Sequence, residues 1–219
     1  QAVLAEPPAS PNATLLNEKT IRYLDSHRFG IAVSIDGPKA IHDRNRITVG
    51  GQGTYETVAR KVGLLLSLYR SRPVGARVTL TRGVTDLTVI WDHLFNELGF
   101  AEVGFAPVTA GDIDHFNLTE DELSSVFESM KVLGRRYVEA ALEHRTIGFS
   151  NLHQLLTDLH EGSKKALPCG AGYSMVAVEF IDPDSSSACS ISMSIPPPLM
   201  LIPISTCIPK SPDISKEWA

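Results

Sequence analysis

The chain has 219 residues, of which 43% are apolar and 21% are charged, so it can bury a sizeable core and is expected to be a soluble globular protein. Its formal net charge of −5 and its pI of about 5.8 argue against general binding to nucleic acid or to an anionic membrane. Its three cysteines do not form the framework of a small secreted protein, and no signal peptide opens the sequence, so we expect a cytoplasmic protein.

The first half of the sequence alternates between helical and strand patterns. Residues 16–27 carry apolar residues at helical spacing, and residues 31–35 form a short apolar run that predicts a buried strand. After a polar loop, Thr54 is placed to cap a helix with one apolar face. Residues 76–80 then predict a second strand.

The same alternation continues through the second half. A helical pattern that stops at Gly99 precedes a third apolar strand at residues 102–108. Residues 119–122 have the spacing of a capping box and open a long amphipathic helix, and residues 151–160 predict a shorter one. Strict alternation implies a parallel sheet, either closed into a barrel or open and doubly wound, and periodicity does not decide between the two. In both, ligands bind beyond the carboxyl ends of the strands, where Asp36, Arg82 and Thr109 are expected.

The composition changes after Phe180. The last 39 residues contain nine serines and seven of the fourteen prolines, but no glycine and no arginine. Residues 195–204 are apolar, yet this run is far shorter than the roughly 20 residues that cross a bilayer. We therefore expect no membrane helix here, and a divergent, disordered tail over residues 181–219.

The most informative stretch is Ser34-Ile35-Asp36-Gly37-Pro38, which is followed by His42-Asp43 and by Arg46. A strand that ends in this motif resembles the S-adenosylmethionine-binding region of radical S-adenosylmethionine (SAM) peptide-modifying enzymes with SPASM-type extensions. The anaerobic sulfatase-maturating enzymes are one branch of that family. Two further stretches resemble the family in the same order, namely Asn12-Ala13-Thr14-Leu15-Leu16 and Pro168-Cys169-Gly170-Ala171-Gly172.

The resemblance covers about residues 12–180 and implies an α/β fold, a partial (β/α) barrel that is incomplete at its amino-terminal side. It implies a barrel core over residues 1–165 and the start of an auxiliary-cluster region over residues 166–180. The implied cofactors are SAM and a [4Fe-4S] cluster, which together generate a 5′-deoxyadenosyl radical. The implied partner is a peptide or protein substrate, and thioether cross-linking is the preferred modification.

The resemblance also implies roles for four residues. Ser34 would hydrogen-bond SAM, and Arg46 would bind its carboxylate, a task suited to a planar guanidinium group. Cys169 and Cys189 would ligate an auxiliary iron-sulfur cluster, because thiolates are the usual ligands of such clusters. The Cys-x-x-x-Cys-x-x-Cys motif that holds the catalytic cluster is absent from this sequence. We therefore expect the chain to be an internal piece of the enzyme, inactive by itself.

Other polar residues have simpler interpretations. His42 and Asp43 are adjacent in a loop, which favours a local hydrogen-bonding role over a catalytic pair. Asp112, Asp114 and His115 are interpreted as a polar loop before the capping box, and only secondarily as metal ligands. The alternative to the enzyme is a non-catalytic α/β module that binds a nucleotide or a partner peptide, and the missing cluster motif supports it.

Overall fold

The computed structural model describes residues 8–9, 12–109 and 114–162. The predicted auxiliary-cluster region at residues 166–180 and the predicted tail at residues 181–219 lie outside these ranges, together with Cys169 and Cys189. The predicted domain boundaries at residues 165 and 180 therefore stay predictions.

Strands and helices alternate along the described chain. The strands are β1 (Pro8–Ala9), β2 (Gly30–Ser34), β3 (Val74–Leu80) and β4 (Glu102–Pro107). The helices are α1 (Glu18–Ser26), α2 (Lys39–His42), α3 (Tyr55–Leu68), α4 (Leu87–Asp92), α5 (Glu120–Leu142) and α6 (Ser150–Glu161). None of the helices in the described ranges is long and apolar enough to cross a bilayer.

The strands form one parallel sheet in the order β1, β2, β3, β4. Ser34, the last residue of β2, lies opposite Arg77 of β3, and Arg77 lies opposite Gly104 of β4. The strand order follows the chain without reversal, so right-handed crossovers place the connecting helices on the same face of the sheet. The parallel sheet predicted from the alternation is confirmed.

The two faces of this sheet differ in chemistry. One face packs against the helices, and its core contains Ile31, Val33, Val74, Ala76, Val78, Leu80, Val103 and Phe105 from the strands, with Ile21, Val62, Leu65, Leu87, Ile90 and Leu94 from the helices. The opposite face, which we call the open face, consists of the alternating positions Ala32, Ser34, Gly75, Arg77, Thr79, Glu102, Gly104 and Ala106. These side chains are small or polar, and α6 borders them beside β4. Crossover helices on one face are typical of a (β/α) barrel, whose closure stays a prediction.

Three local features depart from the sequence prediction. The short helix α2 was expected to be loop, and the helix expected to end at Gly99 passes from α4 into a π-helical turn, His93–Glu97. Thr54 precedes α3 as predicted, but its side chain makes no capping hydrogen bond to that helix.

The predicted capping box of α5 is confirmed, because the side chains of Thr119 and Glu122 each accept a hydrogen bond from the other residue's backbone N–H.

Candidate ligand-binding site at the carboxyl ends of the strands

The carboxyl ends of β2, β3 and β4 meet at one edge of the sheet. Ser34 ends β2, Arg82 follows β3 by two residues, and Thr109 follows β4 by two residues. Because the strands are parallel and in register, Ser34, Arg82 and Thr109 lie along a common rim. The segment after β2, residues 36–54, folds back over this rim, and we call it the rim loop.

Asp36 is the centre of the rim loop. Its buried carboxylate accepts hydrogen bonds from Arg46 Nε (2.5 Å) and Arg46 Nη2 (3.0 Å). Its Oδ1 also accepts from the backbone N–H of Thr79 at 3.0 Å, which joins the end of β2 to β3. The pair is a two-donor, charge-assisted contact in a largely desolvated place. Asp36 therefore holds the carboxyl end of β2 against β3 and fixes the position of the Arg46 side chain.

His42 extends this network and is fully buried. Its Nδ1 accepts from the backbone N–H of Asp36 at 3.3 Å, so the ring proton lies on Nε2, which contacts Thr54 Oγ1 at 3.1 Å. The Thr54 hydroxyl in turn donates to the carbonyl of Arg46 at 2.8 Å, which explains why it does not cap α3. Burial lowers the pKa of His42, although the nearby Asp36 charge opposes this shift, so the ring is neutral at pH 7.

Asp43 caps α3 in place of Thr54. Its carboxylate accepts from the backbone N–H of Tyr55 at 2.9 Å and from Lys39 Nζ at 2.6 Å. Burial by itself would raise the pKa of Asp43, but the hydrogen bonds from Lys39 and from the Tyr55 amide outweigh it and lower the pKa. His42 and Asp43 thus have separate structural contacts, in agreement with the interpretation that they are not a catalytic pair.

The rim loop is also attached to the segment after β3. Asn45 Nδ2 donates to Thr81 Oγ1 at 2.9 Å, and Arg44 Nη2 donates to the carbonyl of Arg82 at 3.0 Å. Gly37 has a φ of 126°, and a Cβ there would lie 3.2 Å from two side-chain carbons of Ile90 in α4. This close approach is open only to glycine and sets the path of the loop toward the helix.

The open face below the rim contains an arginine that sequence reasoning missed. Arg77 is exposed, and within the described part of the chain it makes no hydrogen bond or ion pair. It lines a cavity of about 450 Å³ between the open face and α6, which Gly104, Ala106, Ser150, Gln154 and Asp158 also line. The signal that could have found it is a single arginine on the face of a strand that otherwise alternates between small and apolar residues.

At β4 the cavity is bounded by the side-chain amide of Asn151, which makes two hydrogen bonds to the backbone of Phe105. Asn151 of α6 accepts from the backbone N–H of Phe105 at 2.8 Å and donates to the Phe105 carbonyl at 2.9 Å. This side chain therefore satisfies one edge position of β4 as a neighbouring strand would. A second cavity, apolar and of about 640 Å³, lies between α5 and α6 and is lined by Phe127, Leu152 and Leu155 among others.

The predicted site residues are only partly brought together. Ser34 lies on the open face at the rim, whereas the Nε and Nη2 donors of Arg46 are already bonded to Asp36. The described residues contain no cysteine, so they offer no thiolate for an iron-sulfur cluster, and they hold no group of three or more His, Cys, Asp or Glu suited to a metal. Asp112 lies outside the described residues.

No family model matches this sequence. The fold is similar to that of the anaerobic sulfatase-maturating enzyme anSMEcpe, a radical SAM enzyme, solved with bound AdoMet, which is SAM. The TM-score is 0.60 at 20% identity, over 74% of this chain and 44% of that chain. The same enzyme with AdoMet and the Cp18Cys peptide gives a TM-score of 0.61 at 20% identity, over 78% of this chain and 46% of that one. This chain thus spans less than half the length of the enzyme it resembles, and at this identity the likeness shows the fold.

Proposed function

We propose that this chain is part of the SAM-binding barrel of a radical SAM enzyme that modifies a peptide or protein. The observation that carries the proposal is the rim itself, where Ser34 ends a strand at the open face and the rim loop with its Asp36, His42 and Arg46 network is fastened beside it. This is the motif that resembles the family, and it occurs in a fold similar to that of an enzyme solved with AdoMet and peptide.

The resemblance supports a finer assignment within the family. Asn12-Ala13-Thr14 and Cys169-Gly170-Ala171-Gly172 resemble the maturation protein of quinohemoprotein amine dehydrogenase. On that basis we propose thioether cross-linking as the modification and a peptide or protein as the partner.

SAM fits the chemistry of the open face. Ser34 offers a hydroxyl donor and acceptor at the rim, and Arg46 Nη1, which does not bond to Asp36, can donate to a carboxylate. When reductively cleaved, SAM supplies a 5′-deoxyadenosyl radical. The part of this chain described here would bind the cofactor, orient it and exclude water from one side of it.

The iron-sulfur clusters do not fit the described residues, because none of them is a cysteine. Cys169 and Cys189 stay the proposed ligands of an auxiliary cluster. The cysteine motif of the catalytic cluster would have to come from sequence beyond this chain, so no chemical step through a cluster is derived.

The rival function is a non-catalytic module that binds a nucleotide or a partner peptide, and the lack of cysteine in the described residues is the observation that favours it. The encoding gene separates the two. A three-cysteine motif upstream supports the enzyme, whereas a genuine start codon just before Gln1 supports the module.

The direct test measures SAM binding by the complete protein, purified without oxygen, using calorimetry and product analysis for 5′-deoxyadenosine. Ser34→Ala is expected to weaken SAM binding about 5- to 10-fold, since a net hydrogen bond contributes about 1 kcal/mol. Ser67→Ala is the matched control, because Ser67 is exposed on α3 and its hydroxyl bonds only to the Leu64 carbonyl. A protein that binds ATP as tightly as SAM and forms no 5′-deoxyadenosine would reject the enzyme.

A further inference from the structure

We propose that Arg77 binds the α-carboxylate of SAM on the open face, an inference that rests on the proposed function and adds a binding residue to it. The sequence motif directs attention to Arg46 for this task. The structure favours Arg77, which lies outside every motif. Arg77 shares the open face with Ser34 and has no competing partner among the described residues.

The position of Arg77 follows from the register of the sheet. Arg77 lies directly opposite Ser34 on the neighbouring strand, and both occupy alternating positions that face away from the core. Neighbouring strands are about 4.8 Å apart, so side chains at paired positions on one face can contact the same small molecule. A ligand held by the Ser34 hydroxyl is therefore within reach of the Arg77 guanidinium.

The surroundings of Arg77 leave room for that ligand. Its partner on the other side is Gly104, which adds no side chain to the same row of the open face. A Cβ at Gly104 would lie 2.6 Å from Ser150 Oγ, so a larger residue at this position would require the Ser150 hydroxyl to move away. Arg77 thus borders a cavity of about 450 Å³ that opens along the face, instead of a packed interior.

The other arginines near the rim are already bonded. Arg46 donates through Nε and Nη2 to Asp36, Arg44 donates to the carbonyl of Arg82, and Arg82 Nε donates to the carbonyl of Asn117. Arg77 alone among these four keeps its whole guanidinium fork free of the described residues. A planar fork with two parallel N–H groups matches a carboxylate, and Arg77 can present either edge of its guanidinium, whereas one edge of Arg46 is occupied by Asp36.

The test compares SAM with decarboxylated SAM, an analogue that lacks only the carboxylate, in calorimetric titrations of the complete protein. Arg77→Gln is expected to weaken SAM binding about 10- to 100-fold, the range of a charge-assisted hydrogen-bonded contact, and to leave binding of the analogue nearly unchanged. Arg77→Lys keeps the charge but loses the fork, and an intermediate loss is expected. Arg60→Gln is the matched control, since Arg60 is exposed on α3.

Each outcome has a distinct meaning. Equal losses for SAM and its analogue, or no loss for either, would overturn the role of Arg77 and leave the proposed function intact. An unmodified protein that binds neither ligand would instead reject the proposed function. Circular dichroism and the urea midpoint of each variant identify a folding defect, and if Arg77→Gln fails to fold, the Arg77→Lys arm decides alone.

Discussion

The rim loop and the open face are adjacent regions built on the same strands, yet their polar groups are used in opposite ways. In the rim loop, Asp36, Arg46 and His42 are buried or half-buried and bonded to one another or to the backbone. On the open face, Ser34 and Arg77 point away from the core without such partners among the described residues. Buried polar groups that are fully paired stabilise a single conformation, whereas exposed polar groups in a cavity remain available to a ligand. In the rim loop the motif residues Asp36, His42 and Arg46 stabilise the scaffold, whereas Arg77, which lies outside the motif, is exposed on the open face.

The largest loss of stability is expected when the charge of Asp36, at the centre of the rim loop, is removed. Asp36→Asn keeps the shape but leaves Arg46 without its carboxylate, and it should lower the free energy of unfolding by about 2 to 4 kcal/mol, measured by urea denaturation. Arg77→Gln on the open face should change it by less than about 0.5 kcal/mol. Similar losses in the two variants would contradict the division of roles.

A smaller effect is expected where the rim loop passes α4. Gly37→Ala places a Cβ 3.2 Å from Ile90 at a φ of 126°, and it should destabilise the chain by about 1 to 3 kcal/mol. Gly63→Ala is the control, because Gly63 lies inside α3 and a Cβ there has nothing within 4 Å. That control should stabilise the chain by about 0.5 to 1 kcal/mol through helix propensity. Thermal unfolding of both variants checks the prediction, and two changes of the same sign would count against it.

The smallest effect concerns pH and refines the role of His42. Because burial lowers the pKa of His42 in the folded chain, the unfolded chain takes up a proton first as the pH falls below about 6.5, the ordinary value for histidine. Stability contributed by the neutral ring is therefore present above that pH and is lost as the pH falls toward the lowered pKa of the folded state. Urea denaturation at pH 7.5 and 5.5 should show this loss.

The matched variants for that measurement are His42→Gln and His160→Gln. The first should reduce the difference in unfolding free energy between the two pH values, and the second should leave it unchanged, because His160 is exposed at the end of α6. A pH dependence that survives His42→Gln in full would show that another group is responsible.

Local signals made much of the fold predictable. The apolar runs at residues 31–35, 76–80 and 102–108 became β2, β3 and β4, and the spacing at Thr119 and Glu122 became a complete capping box. These predictions succeeded because each depends on neighbours within a few residues, where periodicity and capping chemistry act directly.

The features that local patterns do not contain depend on contacts between distant residues. Thr54 was expected to cap α3, but the carbonyl of Arg46 accepts its hydroxyl and Asp43 provides the cap. Arg46 was assigned to a ligand from the motif alone, and only the folded chain shows that Asp36, ten residues away, accepts both of its inner donors. Arg77 was missed because its importance comes from lying beside Ser34 on another strand, a relation that no local pattern contains.

The most direct test of the account is a crystal structure of the complete protein with bound SAM. We expect SAM to lie across the open face, with the Ser34 hydroxyl in hydrogen-bond contact and the α-carboxylate on the guanidinium of Arg77, while Arg46 keeps its two bonds to Asp36. SAM bound in the apolar cavity between α5 and α6, or a carboxylate held by Arg46 after release from Asp36, would contradict it.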